Sequence, residues 1–339
     1  MSTRDVPVPE RGDGMRLDRF LAARFPDWSR SQLVRGIKAG QVHDASGRRL
    51  RASHTVRAGM TLLISIPGLA PTTPEPPLPP VLYEDEHVVV LDKPSGLSCH
   101  PGGGNFEWAV IGIARRRWPG IDLVHRLDRD TSGVLVLAKD IETNRFLKHA
   151  FKHDHPDKEY IALVRGEYAY SGIIDAPIDY GDGVIRIKMA VVPGGPEART
   201  TVVPRGTRIA GGVTLTRVSC TLHTGRTHQI RVHLAHTGLG IVGDRMYGVP
   251  PEVFLRAWEH GVDEWVVQTA GAPRQALHAH RLAFDGPDGQ RVDVTAPIPP
   301  DMARWWDDPS VLPMDRSGPA AAVSGGALPT SSRHPDETS

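Results

Sequence analysis

Cysteine is almost missing from this chain. Of 339 residues only Cys99 and Cys220 are cysteine, and they form no CxxC pair. That leaves no basis for a disulfide framework or a thiolate zinc site, and it fits a reducing compartment. Long apolar runs are missing as well. No stretch reaches the roughly 18 residues of a transmembrane helix, and the first residues, MSTRDVPVPERGDG, lack the apolar centre of a signal peptide. Both absences set the expectation of a cytoplasmic protein without membrane attachment. An excess of one charge is also absent, since 40 Lys and Arg face 39 Asp and Glu for a net charge of +1. A uniformly basic protein is excluded, so any affinity for nucleic acid must come from local patches.

The length suffices for about two domains at roughly 150 residues each, and 40% of the residues are hydrophobic, enough for a substantial core. Residues 14–66 read as one compact block. Leu17, Phe20, Leu21 and Phe25 recur at helical spacing up to Pro26. Ser29 can cap a second helix carrying Leu33, Val34 and Ile37 and ending at Gly40. Short strands follow at QVHD and TLLISIP. The block carries Arg16, Arg19, Arg24, Arg30, Arg35, Lys38, Arg48, Arg49, Arg51 and Arg57 against only Asp18, Asp27 and Asp44. By charge alone, this is either a solvated face or a footprint for RNA. The run RLDRFLAARFPDWSRSQLVRGIKAGQV resembles the S-four-type RNA-binding module, named after a ribosomal small-subunit protein. That resemblance implies a small α/β RNA-binding domain in which Arg16, Arg19, Arg30, Arg35 and Lys38 contact structured RNA.

Residues 67–80 are half proline and read as an extended linker. A second domain is expected over 81–308. Its strands are VVVLD, VLVLAKD, EYIALVRG and TLTRVSCTLH, with helices near 140–152 and 229–237. The strands and helices alternate without a βαβ rhythm, which argues for a mixed α+β fold over a doubly wound one. From residue 309 to 339 the chain is rich in Ser, Pro, Gly and Ala and reads as a disordered tail.

The densest polar run, His125-Arg126-Leu127-Asp128-Arg129-Asp130-Thr131-Ser132-Gly133, precedes the apolar strand VLVLA. A loop feeding a buried strand is a rigid mount for a reactive group. Arg126 and Arg129 flank Asp128, and neighbouring cations favour an ionised carboxylate, which can act as a nucleophile. Read without further context, the same run is also an ordinary surface turn with ion pairs.

HRLDRDTSG matches HRLDxxTSG, the central motif of the RluA-type pseudouridine synthases. YEDEHVVVLDKPSGLSCHPGGG, KEYIALVRG and HTGRTHQIRVHLAHTGLGIVGDRMYG resemble three further segments of that family in the same order, with weaker support from RIKMAV and LHAHRLAF. Together with the N-terminal module the resemblance spans about residues 15–305. It implies a largely antiparallel β-sheet with flanking helices and a central cleft. The implied activity is isomerisation of uridine in RNA, most typically large-subunit ribosomal RNA or a pre-ribosomal particle, by a monomer that needs neither cofactor nor metal. It implies Asp128 as the attacking carboxylate and Arg126 as the side chain that displaces the uridine from its stack. Tyr160 would pack on the uracil, Arg226 would be the cation paired with the aspartate, and Ile230 would be an apolar pocket residue. Ser98-Cys99-His100 and the polar lead-in HDHPDKEY depart from the family pattern at the expected rim of the cleft.

Two rival readings follow from other features. A non-catalytic RNA-binding or ribosome-assembly factor would rest on the basic first block alone. A metal-dependent hydrolase would rest on His223, His228, His233 and His236, or on His149, His153 and His155. No HExxH spacing supports the latter, and Gly102-Gly103-Gly104 lacks the GK[ST] ending of a phosphate loop.

Overall fold

A computed structural model describes residues 4–25, 30–65, 76–100, 108–153 and 156–313. Pro26, Ser29, most of the proline-rich linker, the triple glycine, His155 and residues 314–339 lie outside the described residues. No helix among the described residues is long and apolar enough to cross a membrane.

The N-terminal unit comprises β1 (Arg4–Pro7), α1 (Leu17–Arg24), α2 (Arg30–Lys38), β2 (Val42–Asp44) and β3 (Thr61–Ile64). The expected helical stripe is what the unit buries: Leu17, Phe20, Leu21 and Phe25 pack with Leu33 and Ile37. Each fully buried Leu contributes on the order of 2 kcal/mol. Gly40 follows α2 with φ +77°, the left-handed conformation that stops a helix at a glycine. The block does not begin at residue 14. β1 pairs antiparallel with β3, from Arg4↔Ile64 to Pro7↔Thr61, and Val6 and Val8 fill the same core. The alternation of Val6 and Val8 with polar neighbours is too short to register as a strand until β3 is there to pair with it.

The second unit is a mixed α+β fold around a ten-stranded sheet. In chain order its elements are β4 (Val81–Glu84), β5 (Val88–Lys93), α3 (Val110–Arg117), β6 (Asp122–Leu123), β7 (Ser132–Ala138), α4 (Ile141–His153), β8 (Asp157–Arg165) and β9 (Gly172–Asp175). Then come β10 (Ile178–Tyr180), β11 (Met189–Val191), β12 (Arg199–Ala210), β13 (Val213–Leu222), α5 (Gln229–His236), α6 (Pro251–His260) and α7 (Glu264–Ala270). β14 (Leu277–Asp285), β15 (Arg291–Thr295) and α8 (Pro300–Asp307) complete it. The strand order is β4-β5-β7-β14-β8-β13-β12-β9, with β6 beside β7 and β15 beside β14. Pairing is antiparallel except where β14 runs parallel to β7, at His278↔Ser132 and Ala279↔Gly133.

That parallel seam joins the two halves of the sheet. One half packs its core around β5, β7 and α3, the other around β8, β13, α5 and α8, and Tyr160 packs against both. β7 is buried at every residue, as an apolar run covered on both faces should be. Gly133, its second residue, has φ +109°, and a Cβ there would lie 2.1 Å from the Ala279 carbonyl oxygen. Only glycine lets β7 approach β14 at the point where the chain leaves the HRLDRDTS loop.

The ends of the unit differ from the expected boundaries. Pro76–Pro80 is the foot of the linker, and Leu78 packs on the β5–β7 core. At the other end Pro309–Val311 forms a 3₁₀ turn, and Pro309 and Leu312 are buried. The polar composition after residue 308 hides this last apolar anchor, so the packed structure runs on at least to Leu312.

Candidate active site

The loop between β6 and β7 carries Asp128, and it is tied down on several sides. Lys93, fully buried at the end of β5, donates from Nζ to the carbonyls of Pro94, Leu97 and Arg129 at 2.8, 2.8 and 2.9 Å. Three acceptors saturate an ammonium group, so the lysine binds the β5 exit to the reactive loop. Ser95 Oγ donates to the Asp130 carbonyl at 2.9 Å, and the Thr131 amide closes a turn onto the Asp128 carbonyl. Gln275 Nε2 donates to Thr131 Oγ at 2.7 Å from the approach to β14.

α5 supplies the facing wall. It is buried around most of its circumference although its sequence, QIRVHLAH, holds four polar residues. Such a helix persists only if the polar groups are paired. Gln229 donates to the Arg199 carbonyl and Thr200 Oγ, and accepts from Thr224 Oγ and the Arg226 amide. His233 bridges Thr200 Oγ and the Ala176 carbonyl. Arg231 grips Asp244 through Nε and Nη2 at 2.6 and 2.9 Å, and its third nitrogen, Nη1, donates to Asp128 Oδ2 at 2.8 Å.

Asp128 therefore has Oδ2 held by Arg231 and lines a cleft of about 840 Å³, with 29% of its side chain exposed. Burial works to raise its carboxyl, but the charge of Arg231, with His228 and hydrogen bonds from Arg231 and Gln275, holds it below its ordinary 3.8. Burial and the Asp128 charge push the Tyr160 phenol well above its ordinary value, so at neutral pH it is a neutral ring with a hydroxyl. His125, next to the motif, is neutral too: burial lowers it to about 3, and its Nε2 accepts from the Val136 amide.

The structure brings all five residues singled out in the second domain to one cleft. Asp128, Arg126, Tyr160, Arg226 and Ile230 line it together. Arg126 is exposed at the rim, and Ile230 is buried in the wall. Lys148, Lys152 and Lys158 add positive charge along one side, although burial pulls Lys158 down to about 8. Two expected contacts are absent. Arg226 donates from Nε to the Glu197 carbonyl at 2.9 Å, and the cation on Asp128 is Arg231. Arg129 turns to Asp130, which also receives Arg245, and leaves Asp128 alone.

The sequence model of the family described as RNA pseudouridylate synthase matches residues 87–236. A protein of Xanthomonas campestris pv. campestris named ribosomal large subunit pseudouridine synthase D is 38% identical, over 89% of this chain and 91% of that one. A protein of the same name from Pseudomonas aeruginosa is 37% identical over 89% and 94%. This chain belongs to the RluA-type pseudouridine synthases. A protein of Chloroflexus aurantiacus named uncharacterized RNA pseudouridine synthase is 40% identical over 88% and 91%. The fold is shared with the solved human RNA pseudouridylate synthase domain containing 1, at a TM-score of 0.54 and 24% identity over 67% of this chain and 86% of that one. The protein is thus an isomerase acting on RNA.

The family resemblance put the paired cation at Arg226, which follows a Thr-Gly turn, where arginines are usually solvated. The better signal lay five residues on. An arginine between Ile230 and Val232 in a helix with apolar neighbours has to be buried, and a buried arginine needs carboxylates. Asp244, Tyr247, His228 and Gln275 were also missed, since each acts through a partner distant in sequence. Of the basic residues expected to meet RNA, Arg19, Arg35 and Lys38 are exposed. Arg16 and Arg30 are committed in part to the buried Asp18, each with Nε at 3.1 Å from its carboxylate. Among the described residues no group of three or more His, Cys, Asp or Glu is placed to hold a metal ion.

Proposed function

We propose that this synthase isomerises uridines of large-subunit ribosomal RNA, with Asp128 as the nucleophile on a nucleotide flipped out of its stack. One observation carries this reading: a carboxylate that Arg231 holds below its ordinary value lines a cleft, with the neutral Tyr160 ring in the same lining. The net reaction breaks the C1′–N1 bond and forms C1′–C5, and the proton lost from C5 is matched by one gained at N1. Reactant and product are isomers, so no redox equivalent or phosphate donor enters the balance. An ionised carboxylate is competent to attack either the sugar or the uracil ring.

A base detached from its sugar has to be kept from diffusing away. Tyr160 supplies a flat face for it, and stacking of this kind contributes about 1–3 kcal/mol per base. A uridine in a helix is out of reach of Asp128 until it is everted, at a cost of a few kcal/mol, and Arg126 at the rim offers a guanidinium plane to the vacated stack. The N-terminal unit, with Arg19, Arg35 and Lys38 exposed, supplies affinity and leaves the chemistry to the cleft. Support for large-subunit ribosomal RNA comes from the names of relatives at 34–38% identity.

The test uses ribosomal RNA from cells lacking the gene. Incubation with the wild-type protein should restore pseudouridine at specific positions on a nucleotide-resolution map, and Asp128→Asn should restore none while still binding the RNA. Full activity of Asp128→Asn, or no new pseudouridine with the wild type, rules the reading out.

A further inference from the structure

We infer that His228 serves the reaction as a neutral hydrogen-bond donor, its Nε2–H facing Oδ1 of Asp128 and the uracil that enters beside it. The inference rests on the function proposed above. Among the described residues His228 is the one non-glycine with a positive φ, at +58°, ψ +18°. A positive φ is uncommon outside glycine, although Asn, Asp and His take it more readily than other residues, and such residues cluster at functional sites. Here it turns the imidazole into the cleft at the first turn of α5.

The ring is fixed by Tyr247, whose plane meets it edge to face at 5.6 Å. Tyr247 Oη accepts the Met189 amide at 2.9 Å and lies 2.9 Å from His228 Nδ1. With one amide already donating to that oxygen, the phenolic proton has Nδ1 as its acceptor. A neutral imidazole that accepts at Nδ1 carries its own proton on Nε2. Nε2 lies 3.8 Å from Asp128 Oδ1, the oxygen that Arg231 does not hold. The gap is too long for a hydrogen bond, and it leaves a position within about 3 Å of both groups for a substrate atom.

The charges around the ring agree. Burial and Arg231, on the same helix, push the imidazole below its ordinary 6.5, while Asp128 from the β6–β7 loop and Asp244 from the loop after α5 pull it upward. Protonated, the ring would close onto Asp128 and occupy the oxygen that has to react. Neutral, it leaves that oxygen free and still presents one N–H. When the C1′–N1 pair moves onto the pyrimidine, the uracil carbonyls take up the charge, and a fixed donor at that place stabilises it. The histidine keeps its proton throughout, so the proton balance of the isomerisation is unchanged.

Two measurements test this. In ¹⁵N-histidine-labelled wild type at pH 7, His228 should show an unprotonated Nδ1 and a protonated Nε2, and Tyr247→Phe should mix the two tautomers. In kinetics on the same RNA, His228→Asn tolerates the left-handed backbone and reaches Tyr247 but not Asp128. It should lower kcat by about tenfold or more with KM within about twofold. His228→Gln, whose amide reaches the Nε2 position, should recover part of the loss. An Nδ1–H tautomer or an imidazolium at pH 7 overturns the inference. So does wild-type kcat in His228→Asn, or a loss confined to KM. An inactive wild type would sink the proposed function instead, and the tautomer would still be read independently.

Discussion

Arg231 divides its guanidinium between two carboxylates, the fully buried Asp244 and the cleft-facing Asp128. Its charge is the largest influence lowering Asp128, and it opposes a burial that acts the other way. Arg231→Gln should therefore let burial prevail. The acid limb of the pH–rate profile should move to higher pH than in the wild type, where Arg231 holds the carboxyl below its ordinary value. The sign for stability is the usual one for a depressed carboxylate. The contribution is present above the unfolded pKa and lost as pH falls through the folded one. The same substitution leaves Asp244 buried without its cation, which costs on the order of 3–5 kcal/mol. Urea denaturation at neutral pH would measure that loss. A variant as stable as the wild type, with an unmoved acid limb, would mean that Arg231 does not control the site. Asp128 was legible as a cleft residue from the HRLD motif because the loop that carries it is continuous in sequence. Its cation was not, since the pair joins residues 103 apart in sequence.

The elements divide the work between a rigid seam and a separate basic unit. Lys93, Gly133 and Gln275 reach the Asp128 loop from β5, β7 and the foot of β14, so the carboxylate is mounted on the sheet rather than on a free loop. The N-terminal unit makes its own sheet and core. There Arg19→Ala, Arg35→Ala and Lys38→Ala together should weaken RNA binding without lowering kcat at saturation. The slope of log K against log salt should become shallower by about 2–3, if each side chain neutralises one phosphate. Filter binding across a salt series reads this, and an unchanged slope would place the RNA elsewhere. Any truncation has to remove β1 as well, since a protein cut at residue 14 leaves a strand without its partner β3. The long apolar strands and the helices at Ile141–His153 and Gln229–His236 were readable from the sequence because each carries its own period. The short strand Arg4–Pro7 and the turn at Pro309–Val311 were not, because only tertiary pairing and burial make them elements.

On the scale of the whole molecule, the cleft lies at the seam where the two halves of the sheet meet, and its lining is rich in basic side chains. Its lining includes Lys148, Lys152 and Lys158 from α4 and β8, His223, Thr224 and Arg226 from the segment after β13, and the exposed Arg126. The lysines and Arg226 suit phosphates on either side of an everted nucleotide. Arg126, two residues from Asp128, suits the gap that an everted nucleotide would leave. If it fills that gap, its value depends on there being a stack to repair. Arg126→Ala should then slow the reaction on a uridine held in a stable helix by about tenfold or more, since eversion costs a few kcal/mol. It should slow the same uridine in an unpaired strand far less. Single-turnover rates on two oligonucleotides of the same local sequence, one folded and one not, measure the difference directly. Equal losses on both would make Arg126 a phosphate or uracil contact and would leave eversion to the lysines. A loss confined to the helical substrate would tie the side chain to the opening of the RNA, a step that the buried carboxylate has no means to perform by itself.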